Sequence, residues 1–448
     1  MKIKFLGASG TVTGSSYVLT SGSGKSILID LGMFQGPPEI DKLNYEPYDY
    51  NPSLLSGAIL THAHLDHCGR LPIITARGFK GNIWMTPATR DLTELSLFDS
   101  AKIAKDDGKP SLYDGSLVTQ TIVNFRMVDY RIPTQIGDFT VTFRDAGHIL
   151  GSASLEIIDK NPSSGIKKII FSGDLGNTPE PLEQATELID TGDAVVIEST
   201  YGDKIHAEGN PVASVQSEIN TIEKTGGTLL IPSFSLDRTQ ELLHIIMHLK
   251  KEGKVKPDTP VFLDSPMAEK ATTIYVNYPK LFNPEIQEDL KIGDLFNFPG
   301  FNTVNGHGAS ETLHTTPGPK VIIAGSGMMT GGRIVGHAAF YMPIDSTRLL
   351  IVGYQGDGTL GRELKEGKKE VYIGQTVKVN GTVSAIETMS SHADQKQLLN
   401  WLKHIKGVKK VFITHGEDPT RSVFAKKITE EIEINDITLP LQNQEFEF

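Results

Sequence analysis

Cysteine and long apolar runs are scarce in this chain. Its 448 residues include a single cysteine, Cys68, so no disulfide can form within the chain. This usage predicts a reducing compartment, the cytoplasm. No apolar run approaches membrane-spanning length, and glycine and serine interrupt the N-terminal segment before a signal peptide could develop. We therefore expect a cytoplasmic protein with no membrane partner.

Positive charge is also in deficit. The chain has 43 Lys and Arg residues against 54 Asp and Glu residues, and its net charge is −11. This balance argues against a broad surface for nucleic acid. A cleft that contains metal cations can nevertheless bind phosphate groups while the outer surface stays acidic. The net charge therefore bears on solubility more than on the substrate.

The length predicts two or three domains, and the rhythm of the sequence changes twice. Residues 1–205 contain short strand-like segments separated by Gly, Pro and polar residues. Residues 206–387 alternate between strand and helix patterns, which implies a mostly parallel sheet flanked by helices. Residues 388–448 return to the first pattern. We therefore predict one domain formed by 1–205 and 388–448, and a second domain inserted into it.

A dense cluster of potential metal ligands follows an apolar strand. His62, His64, Asp66 and His67 lie within six residues, directly after the apolar segment 56–60. His62 and His64 are two residues apart and can point the same way, whereas Asp66 and His67 are directed toward a second point. The segment predicts two neighbouring metal ions, and this mixture of imidazoles and carboxylates favours zinc over calcium or magnesium. A solvated polar loop is the alternative.

Four other polar side chains each stand where a predicted strand ends: Asp30, His148, Asp174 and His415. Catalytic side chains often lie on loops that a rigid sheet holds in place. Each of these segments, considered alone, is equally typical of a turn. Together with the cluster at 62–67, they supply three ligands for each of two metals and one shared carboxylate.

These residues occur in the order of the motifs of the metallo-β-lactamase fold, which the chain resembles. Three later motifs are similar to those of the beta-CASP group of nucleases: Glu198 in IESTYG, His392 in SSHADQ and His415 in THG. Members of this group include bacterial and archaeal RNA-processing nucleases and the endonuclease subunit of the mRNA 3′-end cleavage machinery. The resemblance implies an α/β fold, in which a metallo-β-lactamase αββα sandwich carries an inserted beta-CASP α/β domain.

The resemblance also implies a role for each site residue. One metal would be bound by His62, His64 and His148, the other by Asp66, His67 and His415, and Asp174 would bridge both. Asp30 would orient a ligand histidine, and Glu198 would pair with His392. RNA-acting members carry histidine at the third motif and DNA-repair members carry valine, so His415 favours RNA.

Such a centre suits the hydrolysis of RNA phosphodiester bonds. A hydroxide that bridges two Zn²⁺ ions is a nucleophile at neutral pH, since one zinc ion lowers the pKa of water to ~7; Mn²⁺ is the alternative metal. His392, with Glu198 beside it, is suited to protonate the departing oxygen, which is typically worth ~10²–10⁴ in rate. We expect an endoribonuclease, with 5′-exoribonuclease activity as an option, that acts on single-stranded RNA and leaves a 5′-phosphate and a 3′-hydroxyl.

The glycine-rich segment 325–333 follows a predicted strand and opens a predicted helix. Its amides and the helix dipole could hold an RNA phosphate, whereas a tight turn without a ligand is the alternative. The residues expected to contact RNA are Gly325, Ser326, Gly327, Arg333, Ser235 and Arg238. Arg238 could instead form a surface ion pair. It opens a helix predicted over 237–251, for which Asp237 and Gln240 would form a capping box.

Two other functions fit the same scaffold. A hydrolase of small esters or thioesters needs neither the insert nor the Glu198–His392 pair, so both argue against it. A catalytically inactive scaffold of an RNA-processing complex predicts missing ligands, and none is missing. A homodimer is compatible with the sequence. His244, His248 and His404, within predicted helices, are expected to have packing or surface roles.

Overall fold

The computed structural model describes residues 1–47, 49–106, 108, 110–163, 165–179, 181–304, 306–356, 358–386 and 388–448. These residues form two compact units, one of Met1–Ile205 with Ser391–Phe448 and one of His206–Ser390. The sequence placed the second boundary at 387, a residue that lies outside the described part of the chain. In the described ranges, no helix combines the length and the apolar character that crossing a membrane requires.

The strands are short. Those before residue 206 are β1 (Lys2–Phe5), β2 (Ser16–Thr20), β3 (Ser26–Leu31), β4 (Leu55–Ile59), β5 (Ile83–Met85), β6 (Phe125–Met127), β7 (Thr134–Ile136), β8 (Phe139–Asp145), β9 (Ala153–Asp159), β10 (Lys168–Phe171) and β11 (Ala194–Ile197). The second unit contains β12 (Thr228–Pro232), β13 (Val261–Asp264), β14 (Phe301–Thr303), β15 (Lys320–Ala324), β16 (Arg348–Ile351), β17 (Glu370–Tyr372), β18 (Thr376–Lys378) and β19 (Thr382–Ala385). The last strands are β20 (Lys410–Ile413), β21 (Ile437–Thr438) and β22 (Glu445–Glu447).

The helices differ widely in length. Those of the first unit before residue 206 are α1 (Pro38–Asp41), α2 (Leu65–Cys68), α3 (Leu71–Ala76), α4 (Pro87–Asp106) and α5 (Gly115–Ile122). The second unit has α6 (Pro211–Thr225), α7 (Arg238–Lys251), α8 (Pro266–Val276), α9 (Pro284–Ile292), α10 (His307–Thr312), α11 (Arg333–Tyr341) and α12 (Leu360–Lys365), and the first unit ends with α13 (Gln395–His404) and α14 (Asp418–Ile432).

Two sheets face each other in the first unit. Their strand orders are β22-β1-β2-β3-β4-β5-β6 and β21-β20-β11-β10-β9-β8-β7. Strand β8 shows how the sequence produces this packing, because Phe139, Val141 and Phe143 alternate with less buried residues and so line one face. These side chains pack with Phe5 of β1 and Phe412 of β20 in one core between the sheets.

Helices cover the outer faces of both sheets. Leu71 of α3 and Leu97 of α4 join the core on the outside of the first sheet. Trp401 of α13 and Phe424 of α14 do the same on the outside of the second sheet. The first unit is therefore the predicted αββα sandwich.

The second unit contains the predicted parallel sheet. Its strand order is β14-β13-β15-β12-β16-β19, and each neighbouring pair is parallel. Every residue of β12 and β15 is buried, as expected for parallel strands that helices cover on both faces. The α/β fold class is confirmed for both parts of the chain.

Parallel pairing brings together the carboxyl ends of the strands that the predicted ligands follow. β3 pairs with β4, and β11 lies between β10 and β20, all in parallel. The β11–β20 pair joins Val195 to Val411, on opposite sides of the insert in the sequence. The carboxyl ends of these strands therefore meet, although the chain supplies them at widely separated positions.

We predict that Phe143→Ala lowers the free energy of unfolding of the first unit by about 3–5 kcal/mol, because it removes a fully buried ring from the core between the sheets. Denaturant unfolding would measure the change. Phe98→Ala is the matched control, since this ring is 36% exposed and its loss should cost about 1 kcal/mol or less. Equal effects of the two substitutions would contradict the core assignment.

Candidate metal centre

The predicted metal ligands lie at the ends of strands of both sheets. His62 and His64 follow β4, α2 carries Asp66 and His67, and His148, Asp174 and His415 follow β8, β10 and β20. Their ligand atoms form two groups, His62, His64, His148 and Asp174 in one and Asp66, His67, Asp174 and His415 in the other, with all atoms of a group within 4.8 Å of one another. The structure thus brings all seven residues together, and Asp174 belongs to both groups.

The first group has the spacing of a metal site. His64 Nδ1 lies 3.2 Å from His62 Nε2 and 3.2 Å from His148 Nε2. Asp174 Oδ2 lies 3.6 Å from His62 Nε2 and 3.7 Å from His148 Nε2. Ligand atoms ~2.1 Å from a tetrahedral ion are separated by roughly 3.4 Å. The four residues therefore fit around one ion.

The second group is similar. Asp174 Oδ1 is 3.3 Å from His67 Nε2, and Asp66 Oδ2 is 3.3 Å from His415 Nε2. His415 Nε2 is also 3.7 Å from Asp174 Oδ2, and His67 Nε2 is 3.9 Å from Asp66 Oδ2. One carboxylate, that of Asp174, therefore reaches into both groups.

Hydrogen bonds at the outer nitrogens direct the imidazole lone pairs inward. His148 Nδ1 donates to the carbonyl of Ser391 at 2.8 Å, and His67 Nδ1 donates to Asp30 Oδ2 at 2.8 Å. The Thr61 hydroxyl donates to the same Asp30 oxygen, so it accepts from His62 Nδ1 at 3.1 Å. The Nε2 atoms of these histidines therefore face the centre, where each binds a metal through its lone pair once the ring is neutral.

Two atoms at the centre of the cluster need a partner. His67 Nε2 and Asp174 Oδ1 are buried 3.3 Å apart, and among the described residues neither makes a well-aligned hydrogen bond. An unpaired buried polar atom costs about 1–3 kcal/mol, and more if it is charged. A cation between them would satisfy both atoms.

Buried negative charge also calls for cations. Asp30, Asp174 and Glu198 are almost fully buried, and Asp66 is half-buried. Burial alone would raise the pKa of Asp66, but the hydrogen bond with His415 and the charges of His67 and His415 together outweigh it and lower the pKa to about 2. In the same way, His415 and His67 outweigh the burial of Asp174 and hold its pKa well below the usual value. Asp66 and Asp174 are therefore ionised, and cations between the ligand atoms would offset their charge.

The three histidines of the first group are neutral. Burial, followed by the nearby charge of His67, lowers the pKa of His62 well below its usual value, and burial and His392 do the same for His148. Burial also lowers the pKa of His64. Neutral imidazoles are what a metal ion requires. In the second group, burial alone would lower the pKa of His67, but the carboxylates of Asp174 and Asp30 outweigh it and raise the pKa well above its usual value, so a bound metal would displace that proton. With that exchange, the residues present fit a dinuclear site.

His392 and Glu198 form a pair beside this centre. His392 Nδ1 lies 3.3 Å from Glu198 Oε1, and Glu198 is anchored by the amides of Leu175 and Thr200 at 2.7 and 3.2 Å. Burial alone would lower the pKa of His392, but the carboxylate of Glu198 outweighs it and raises the pKa to about 9. Cations at the neighbouring ligands would bring this value down toward neutrality, because like charges disfavour the imidazolium.

The centre is open on one side. The side chain of His392 is 22% exposed, and His64 and Asp66 are also half-buried, whereas the other ligands are buried. A substrate would therefore approach from the side of His64, Asp66 and His392. Cys68, next to His67 in the sequence, is buried and donates to the carbonyl of Ala63 at 3.4 Å, so it takes no part in either group.

The residues expected to contact RNA lie in the second unit, at the carboxyl edge of its parallel sheet. A Cβ on Gly325 would be 3.6 Å from Ser265 Oγ and 3.8 Å from Ser235 Oγ, so the ends of β12, β13 and β15 meet there. Ser326 Oγ accepts from the amide of Thr330 at 3.1 Å. The structure therefore brings Ser235, Gly325 and the turn at Ser326 together.

Both arginines predicted to contact RNA bind carboxylates instead. Arg238 is buried and its guanidinium donates to Glu241 of the same helix. The ion pair considered for Arg238 is thus present, but in the interior rather than at the surface. Arg333 donates to Asp264 and, at 3.0 Å, to the carbonyl of Val304. A phosphate would have to replace these acceptors.

Several residues that support the metal centre or the edge expected to contact RNA were not predicted from the sequence. Thr61, Thr200 and Ser391 hold ligand histidines or Glu198, and all three stand beside motif residues, but their roles depend on folded geometry. Phe234 is 38% exposed at the carboxyl edge of the parallel sheet in the second unit. A Cβ on Gly327 would lie 2.6 Å from its ring. An aromatic residue directly before Ser235 was the available signal.

We predict that Gly32→Ala weakens metal binding by about 10–100-fold, a typical effect of displacing groups around metal ligands. A Cβ on Gly32 would stand 1.5 Å from the carbonyl oxygen of Asp66, so the backbone of this ligand must move. Competition with a chelator would measure the affinity. Gly165→Ala is the control, because a Cβ there meets no heavy atom within 4 Å among the described residues. Equal affinities would show that the close approach does not position the ligands.

Family models match three parts of the chain. Residues 9–196 match the Metallo-beta-lactamase superfamily, residues 239–364 the Beta-Casp domain, and residues 376–440 the Zn-dependent metallo-hydrolase RNA specificity domain. A crystal structure of an Enterococcus faecalis V583 protein of unknown function shares the fold, with a TM-score of 0.55 at 11% identity over 99% of each chain.

Three curated relatives are similar over most of the chain. Ribonuclease TTHA0252 of Thermus thermophilus is 34% identical over 93% of this chain and 94% of its own. The RNase J-like protein of Methanocaldococcus jannaschii is 31% identical over 91% of both chains. Transcription termination factor FttA of Methanosarcina mazei is 31% identical over 97% of this chain and 70% of its own. The predicted family is confirmed: the chain belongs to the beta-CASP ribonucleases of the metallo-β-lactamase superfamily and is a nuclease hydrolase.

Proposed function

We propose that this protein hydrolyses phosphodiester bonds of single-stranded RNA and leaves a 5′-phosphate and a 3′-hydroxyl. The observation that carries the proposal is a complete set of ligands for two ions with a His–carboxylate pair beside it, all within one unit. Relatives with ribonuclease names support RNA as the substrate. The homodimer stays a prediction.

Zinc is the metal that this donor set favours, with manganese as the alternative. His62, His64 and His148 would hold one ion, Asp66, His67 and His415 the other, and Asp174 both. When bound, two such ions would supply Lewis acidity, lowering the pKa of a water to about 7 and offsetting negative charge on a phosphate.

The chain itself would supply the proton for the leaving oxygen. His392 lies on the open side of the centre, and its Nδ1 atom pairs with the buried carboxylate of Glu198. Because Glu198 is held by two backbone amides, it can orient the His392 ring and keep the imidazolium populated near neutral pH. Asp30, which binds Thr61 and His67, would act only through the ligand histidine that it orients.

The carboxyl edge of the parallel sheet in the second unit would contact the RNA chain. Ser235, Gly325, Ser326 and Gly327 present hydroxyls and backbone with little side-chain bulk, which permits close approach of a phosphate. The exposed ring of Phe234 could stack on a base, a contact that tolerates any sequence. Arg238 and Arg333 are less suited, since each is already paired with a carboxylate.

The substrate class is tested by comparing an end-labelled RNA oligomer, a DNA oligomer of the same sequence and a small thioester. We expect metal-dependent cleavage of the RNA with 5′-phosphate ends, and background turnover of the thioester. Labels at each end and inside the RNA separate endonucleolytic from 5′-exonucleolytic cleavage. Thioester hydrolysis without RNA cleavage would instead establish the small-molecule alternative.

The role of His392 is tested by substitution. His392→Ala should lower RNA cleavage by ~10²–10⁴-fold, the usual value of a general acid, and keep the metal content. Asp174→Asn should lower the metal content, since this carboxylate reaches both ion positions. His404→Ala is the matched control: His404 also pairs with a carboxylate, Asp190 at 3.1 Å, but on the surface. Full activity of His392→Ala would remove it from this role.

A further inference from the structure

A second cluster of metal-ligand atoms lies in the other unit, apart from the centre described above. His244 and His248 stand one turn apart on α7, and Asp289 is contributed by α9. Their ligand atoms lie within 4.8 Å of one another. From the sequence, packing or surface roles were expected for both histidines, and Asp289 carried no motif.

The distances are close to those of the dinuclear centre, although two of the three are slightly shorter. The Nε2 atoms of His244 and His248 are 3.0 Å apart, and Asp289 Oδ2 lies 2.9 Å from His248 Nε2 and 3.5 Å from His244 Nε2. In the first group of the dinuclear centre, the corresponding separations are 3.2 to 3.7 Å. A point about 2.1 Å from all three atoms, the distance of a zinc ligand, exists above the triangle that they form.

Hydrogen bonds and a cation are two alternative ways to satisfy this triangle. Each Nε2 atom carries at most one hydrogen, which lies in the ring plane. Without an ion, the carboxylate of Asp289 can accept a hydrogen bond from His248 Nε2 at 2.9 Å. With both imidazoles neutral and their Nε2 lone pairs directed at the triangle, one cation would bind all three atoms.

The residue types and their exposure indicate which ion would bind. The side chains of His244, Asp289 and His248 are 10%, 17% and 29% exposed, so the ligands are held by packing while water can reach the ion as a further ligand. Two imidazoles and one carboxylate suit zinc and other divalent first-row transition metals, rather than calcium or magnesium.

We propose that His244, His248 and Asp289 form a mononuclear site for a divalent transition metal, zinc by ligand type, in the second unit. The ion would link α7 to α9, which are separate in sequence, and would stabilise the packing of these helices. The site is independent of the dinuclear centre and of the proposed ribonuclease activity, because it shares no ligand with them.

The proposal is tested by loading the full-length protein with Zn²⁺, removing free metal and measuring zinc per chain by mass spectrometry. We expect three zinc ions per wild-type chain and two in His248→Ala and in Asp289→Asn. His404→Ala, which disrupts a His–carboxylate pair that has no third ligand among the described residues, should keep all three. Asp174→Asn should keep the zinc of this site, which separates its occupancy from failure at the dinuclear centre.

Anomalous scattering at the zinc edge, from wild-type crystals, provides a measurement that needs no variant. A third peak within about 2.1 Å of both Nε2 atoms is the expected result, even if a substitution prevents folding. A wild-type protein with two ions, with no peak between His244 and His248, would overturn the proposal. Unchanged zinc content in folded His248→Ala and Asp289→Asn would do the same.

Discussion

The buried carboxylate of Asp174 is the constraint on which the first unit depends. It lies against four histidines from both sheets, and burial of such a charge is costly unless cations and hydrogen bonds offset it. Asp30, Thr61 and Ser391 hold imidazole rings so that their inner nitrogens face the same space, where such cations would bind. The sandwich serves to hold these groups rigid, since the cost of misplacing any of them is electrostatic and large.

Much of the centre could be predicted because its ligands stand in short motifs at strand ends, where sequence spacing and geometry agree. The outer hydrogen bonds could not, since they depend on which backbone or hydroxyl group the fold brings to each outer nitrogen. The capping box predicted for Asp237 was wrong: this residue adopts a φ of 69° and its side chain makes no cap bond. A capping box does form at Asp394 and Gln397, where the backbone is extended before the helix.

In the second unit, local sequence patterns predicted the alternation of strands and helices. They did not predict which side chains the charged residues contact. Arg238 opens a helix after a strand, a typical position for a phosphate ligand, yet Glu241 lies one turn later and the pair is buried. The spacing of His244 and His248 predicts that they lie on the same side of a helix, since residues four apart share a helix face. The position of Asp289 beside them could not be predicted from spacing, because only tertiary packing brings α9 to that face.

The parallel pairing of β11 with β20 across the insert has a consequence for biosynthesis. As the polypeptide leaves the ribosome, β11 emerges with one backbone edge unsatisfied, and its partner follows only after the whole insert has been translated. During that interval the open edge is a template for pairing with another nascent chain. The same delay withholds Ser391, His392 and His415, so a half-made polypeptide lacks part of the metal centre and of the groups beside it.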